Sequence, residues 1–282
     1  MSLPRFPSLA LVLTLVGLLP ACQNSDDHPP FAAGCEKNCP LLPPISIGSS
    51  GGSSAVNPDS DAGTGTLQGK VVLLTDGSFA QGALFKQAAM ITADGANGSP
   101  VKAVWKGVDP FDPFVLDGIA RVTTNWVSVE PDVAGGDALP TYQALQTYQI
   151  TSVDLALVSA TVLDGVFNAV STLRSESSGQ VIVFFRSAGT GTPVSGLHAT
   201  MSAAQAGIYA SASGWTLDDG QAVTNQSGLV VFGNVDPAAA GVTRLVTVTR
   251  APTASTSAAA VGQFPVKVVA GAVSIASIGI QL

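Results

Sequence analysis

The side chains able to do chemistry are few and far apart. The 282 residues hold two histidines and three cysteines, and Lys+Arg 12 stand against Asp+Glu 19. A Ser-His-Asp site needs a histidine base. His198 is the candidate, but it sits inside a strand-like stretch with no Gly-x-Ser-x-Gly elbow beside it. Cys35 and Cys39 stand at Cys-x3-Cys spacing with only His28 nearby. That is thin support for a metal or redox pair, and a local disulfide is the expectation for an exported chain. Asp109, Asp112 and Asp117 could offer oxygen ligands to Ca²⁺, yet Pro110 and Pro113 among them favour a rigid loop. Asp218-Asp219-Gly220 reads first as a turn, as do Gly63-Thr64-Gly65 and Gly189-Thr190-Gly191, none of which matches a phosphate-binding loop. Trp105 and Trp126 lie in strand patterns and are expected in the core. Trp215 falls in an expected loop over 213–220 and is the candidate ligand contact, through stacking on a sugar. The expectation is therefore no catalytic residue, no metal and no cofactor.

Composition narrows the partners. Hydrophobic residues are 46%, charged residues only 11% and the net charge is −7; an average domain has about 25% charged residues. So few cations argue against nucleic-acid binding, which draws on phosphate neutralisation. The N-terminus carries Arg5, then the apolar run 9–19, too short for a bilayer span of about 20 residues. It ends in Leu19-Pro20-Ala21-Cys22. This segment resembles the lipobox of bacterial lipoproteins. The resemblance implies cleavage before Cys22, acyl chains on that cysteine, and a place in a bacterial cell envelope. Gln23, in place of Asp, leans toward the outer membrane. Each buried methylene would contribute about 0.8 kcal/mol to such an anchor. Loss of residues 1–21 removes one cation and no acid, so the remainder is one charge more negative.

Residues 22–65 are rich in Pro, Gly, Ser and Asp, the composition of a disordered tether. As a random coil it would reach roughly 35 Å. From 66 onward, short runs rich in Val, Ile and Thr alternate with Gly, Pro, Asp and Asn. The runs 67–74, 88–93, 101–105 and 120–129 are expected strands. Residues 140–148 are polar and carry no clear signal. Leu163, Val166, Phe167, Val170 and Leu173 recur at helical spacing, so one short amphipathic helix is expected over 161–173. Seven further strands are expected at 181–185, 196–201, 207–211, 228–232, 243–249, 264–269 and 272–281. In the last, Val273, Ile275 and Ser277 face one way and Ala272, Ser274 and Ala276 the other.

Pro193/Gly196, then Thr224/Gly228/Phe232, then 244–249 resemble the carboxypeptidase-regulatory-like, transthyretin-like sandwich family over roughly 180–282. Asn225 replaces the usual Asp. The resemblance implies a binding or spacer module without catalysis. Short parallels between 69–74 and 179–184 raise a duplication. The expected fold class is all-β: two immunoglobulin-like or transthyretin-like antiparallel sandwich units with one short helix between them. The expected organisation is signal 1–21, tether 22–65, a β-rich domain 66–178 and a sandwich 179–282. The functional expectation is a non-catalytic lipid-anchored protein for adhesion, scaffolding or ligand binding, its partners the membrane and an unidentified protein or glycan. The alternative is a periplasmic enzyme, or enzyme accessory, using a cleft between the halves.

Overall fold

The computed structural model describes residues 39–40, 63–107, 112–122, 124–133, 135–147, 152–237, 243–252 and 258–281. Cys22, Cys35 and most of the expected tether lie outside these residues. The first strands are β1 (Cys39–Pro40), β2 (Thr64–Gly69), β3 (Val71–Leu74), β4 (Gln81–Leu84), β5 (Ala89–Asp94), β6 (Pro100–Trp105) and β7 (Phe114–Ala120). They are followed by β8 (Asn125–Pro131), β9 (Ala138–Leu139), β10 (Thr141–Leu145), β11 (Leu155–Ser159) and the helix α1 (Ala160–Ala169). The remainder is β12 (Gly179–Ser187), β13 (Leu197–Met201), β14 (Ala206–Ser211), β15 (Gly214–Leu217), β16 (Leu229–Val235), β17 (Thr243–Arg250), β18 (Ala259–Lys267) and β19 (Val273–Ile280). Among the described residues the fold is all-β with one short helix, and the turn-bounded Val/Ile/Thr runs predict the strands.

A nine-stranded sheet, β15-β14-β16-β12-β19-β10-β8-β5-β6, runs through both halves. Its splice is β19, parallel to β12 on one side and to β10 on the other. One face is covered along its length. The pair β2-β7 and strands β3 and β11 enclose Leu67, Ile91, Trp105, Phe114 and Val129 over the first half. Over the second half α1, β3 and β11 enclose Leu163, Phe167, Ile182, Val231 and Ile275. Among the described residues the opposite face is covered over the second half and as far as β10, where the sheet β13-β17-β18 packs on Ala144, Val181, Phe185, Phe232 and Ile278.

This layering explains where the elements depart from the sequence patterns. β19 does alternate its faces, but both are buried, because a layer lies on each side. The run 67–74 is two strands, β2 and β3, in different sheets, with Lys70 between them. Strand β1 (Cys39–Pro40) falls inside the expected tether, and β2 starts at Thr64, one residue before its expected end. In the run 120–129, Ala120 ends β7 and the chain returns to strand at Asn125, whose amide pins Asp94 through both its backbone groups. The helix is shorter than its periodicity. Ser159 caps its start by accepting from Val162 N–H, Val170 ends it, and Ser171 turns left-handed at φ 55. Leu173, expected on the packed face, is 80% exposed. The helix lies close on β16 because Gly233 has no side chain: a Cβ there would stand 2.6 Å from the Phe167 ring.

Candidate functional site

His198 lies mid-strand in β13, as expected, and faces outward beside the edge of the nine-stranded sheet. Its Nε2 is 3.2 Å from Asp218 Oδ2, at the end of β15. The pairing ties the free edge of the smaller sheet to the outer hairpin of the larger one. The His198 ring lies nearly parallel to Tyr209, 7° between planes and 6.3 Å between centroids. Asp218 is itself held, its Oδ1 accepting from Gly220 N–H at 2.8 Å. The reading of 218–220 as a turn therefore stands.

Beneath this pair the β13 edge is closed by side chains. Tyr209 Oη donates to Ala199 O at 2.6 Å and accepts from Ala199 N–H at 2.8 Å. Thr224 Oγ1 accepts from Leu197 N–H at 3.0 Å, and its backbone N–H donates to Leu197 O at 2.8 Å. Burial, helped by the Asp218 charge, pushes the Tyr209 hydroxyl far above the ordinary tyrosine range, against the opposing hydrogen bond from Ala199. Beside it opens a cleft of about 260 Å³, lined in part by Thr200, Met201, Gln205, Leu217 and Asp218. That is just below the usual range for small-molecule sites, about 300–1,000 Å³. Among the described residues no serine or threonine hydroxyl bonds to the His198 ring. The pair can orient a proton, but the nucleophile of a hydrolytic triad has no member here.

The other sequence candidates fall apart in space. Trp215 is on the edge strand β15, not in a loop. Half-buried, it packs on Phe79 at 6.2 Å between centroids and beside Gly77. Much of its ring therefore seals the helix-side core. Asp112 pairs with Lys106 at 3.0 Å, while Asp117 accepts from Thr66 Oγ1 at 2.7 Å on the other strand of β2-β7. Asp109 lies outside the described residues, and so does Cys35; the Cys39 backbone pairs with Gly82 between β1 and β4. Trp105 is core, its indole N–H donating to Phe85 O at 2.8 Å. Trp126 is only half-buried. Ser99 and Lys102 stand at Ser-x-x-Lys spacing, but in a hairpin turn and strand, where residues three apart face opposite ways. Sequence reasoning missed Tyr209 and Asp218 as partners of His198. Nothing in a 20-residue separation signals that contact.

No known family model matches the chain, and no curated protein matches it. Among solved structures the chain is similar to the shaft pilin SpaA from Lactobacillus rhamnosus GG, at 10% identity, covering 78% of this chain and 99% of that one with a TM-score of 0.22. It is also similar to the pilus 2b backbone protein of group B streptococcus, at 9% identity over 77% and 91% with a TM-score of 0.23. A streptococcal ancillary pilin follows at 12% identity over 77% and 62%, with a TM-score of 0.19.

Proposed function

We propose that the chain is a non-catalytic lipoprotein of a bacterial cell envelope. It is anchored through acyl chains on Cys22, with the outer membrane as its destination, and presents its β-sandwich body for adhesion, scaffolding or ligand binding. The observation that carries this reading is Leu19-Pro20-Ala21-Cys22 directly behind the apolar run 9–19. A carboxypeptidase-regulatory-like sandwich in the second half is supported by the places its motif residues take. Gly228 turns at φ 65, and a Cβ there would meet Phe185 O at 2.4 Å, so only glycine fits. Thr224 is buried and donates to Val194 O at 2.9 Å, and Phe232 is core. The His198–Asp218 pair ties two sheet edges together, a structural use of the histidine that fits a binding body.

The test is fractionation and mass spectrometry of the native chain. The wild type is expected in the membrane fraction with an acylated Cys22 as its first residue, and Cys22→Ala in the soluble fraction. An unmodified thiol at that position, or a variant that stays with membranes, would overturn the anchor. Turnover of any substrate would overturn the non-catalytic part.

A further inference from the structure

Among the described residues the second face of the nine-stranded sheet is open over β6 and β5 and closes from β8 to β10, where Ser128 and Ala144 are buried. Register places its side chains on a grid, because directly opposed residues share a face. One row is Val104, Met90 and Glu130; the next is Lys102, Thr92, Ser128 and Tyr142. Trp126 stands opposite Ala144, diagonal to Tyr142. Exposure falls along the grid, from Val104 at 51% and Met90 at 38% to the half-buried Tyr142 and Trp126. There the sheet β13-β17-β18 begins as a wall, and Lys267 of β18 holds its ammonium 4.7 Å from the Tyr142 ring centroid. The result is a ledge: an open floor and an aromatic step.

The chemistry of this ledge selects among occupants. Asp94 and Glu130 face it with Lys102 and Lys267, so it has no net charge although the chain is acidic. Four charged side chains on one small face are unlike the core of a protein–protein interface, where charge is depleted. Donors and acceptors alternate with Met90, Val104 and Trp126. That is the complement of a molecule whose every hydroxyl both donates and accepts and whose ring faces are apolar. The four strands span about 14 Å at the usual spacing, room for a short chain of sugars. Burial, with the Glu130 charge adding to it, raises the Tyr142 hydroxyl above the ordinary tyrosine range, so it stays a neutral donor.

We propose that this ledge, not Trp215, binds a neutral oligosaccharide, with a pyranose face against Trp126 and sugar hydroxyls on Glu130, Thr92 and Lys102. The proposal rests on the reading of the chain as a non-catalytic binding module and names its ligand class.

The experiment titrates the purified full-length protein with a panel of neutral oligosaccharides (β-1,4-glucan, β-1,4-linked N-acetylglucosamine, mannan and galactan tetramers) and sulfated counterparts, followed by calorimetry and tryptophan fluorescence. At least one neutral member is expected to saturate in the micromolar to millimolar range and shift the fluorescence. Glu130→Gln is expected to weaken it about tenfold, through loss of hydrogen bonds to a charged group. Thr92→Ala is expected to weaken it less, and Trp215→Phe not at all. Glu130 is exposed and Thr92 half-buried, and circular dichroism checks the folding of both variants. No binding by any neutral member, preference for the sulfated sugars, or dependence on Trp215 instead of Glu130 would overturn the ledge. Product sugars accumulating during the titration would sink the non-catalytic reading and leave the ledge standing.

Discussion

Removing one oxygen atom tests the closed edge of β13. Tyr209→Phe keeps the buried ring, so no cavity opens. It strips both partners from Ala199, whose N–H and C=O lie 2.8 and 2.6 Å from the hydroxyl and whose side chain is fully buried. An unsatisfied buried backbone group costs about 1–3 kcal/mol. Two of them, relieved in part by water at the edge, give an expected loss of about 2–4 kcal/mol. Urea unfolding at neutral pH reads it as a lower midpoint at unchanged slope. A second signature lies at alkaline pH. The Tyr209 pKa is raised in the fold, whereas in the unfolded chain tyrosine ionises near about 10. Its contribution is therefore complete below about pH 10 and is lost as pH rises toward the folded value. The loss runs at up to about 1.4 kcal/mol per pH unit, since the unfolded state releases a proton the fold retains. The Phe variant lacks that loss and should show a shallower alkaline flank; Tyr142 titrates in both proteins. An unchanged midpoint, or superimposable alkaline flanks, would refute the claim that this hydroxyl closes the edge.

Two further substitutions probe the other layer. Gly233→Ala places a methyl 2.6 Å from the Phe167 ring and should destabilise by about 1–3 kcal/mol through overpacking, read as a lower Tm; Gly233→Ala with Phe167→Leu should recover part of it. Burial alone would raise the Asp137 pKa, but Ser159 Oγ and the Thr161 N–H and hydroxyl donate to the carboxylate and hold it below its ordinary value. Its contribution is present above about pH 4 and lost as pH falls through the folded pKa. Asp137→Ala should cost about 1 kcal/mol at neutral pH, as loss of a helix-start cap does, and flatten the acid limb of the stability curve.

Much of the strand order was legible because Gly, Pro, Asp and Asn bound runs of Val, Ile and Thr. All seven runs expected after residue 180 form strands. Those missed have physical excuses. β10 reads Thr-Tyr-Gln-Ala-Leu, polar because Gln143 accepts from Ala156 N–H across layers. β7 follows directly on two Asp-Pro pairs, which looked like turn alone. Leu173 fits the helical period, yet the helix ends at Val170, and no periodicity signals a left-handed Ser171. The three-layer centre was hidden because alternation predicts one wet face, whereas β12, β16 and β19 are dry on both. The ledge and the His198–Asp218 contact depend on register and on partners far apart in sequence, which composition and spacing do not encode.

The position of β19 has a consequence for how the molecule is made. Ribosomes and secretion machinery deliver a chain from its N-terminal side. The nine-stranded sheet gains its central strand only when residues 273–280 arrive. Until then β12 and β10 each present a vacant flank, and neither half can close its sheet against the other. Pairing so remote in sequence makes for slow maturation. A nascent chain waiting with two sticky flanks has reason to need an escort, and shortening the chain by this one strand would be expected to open the sheet at its middle, not fray its end.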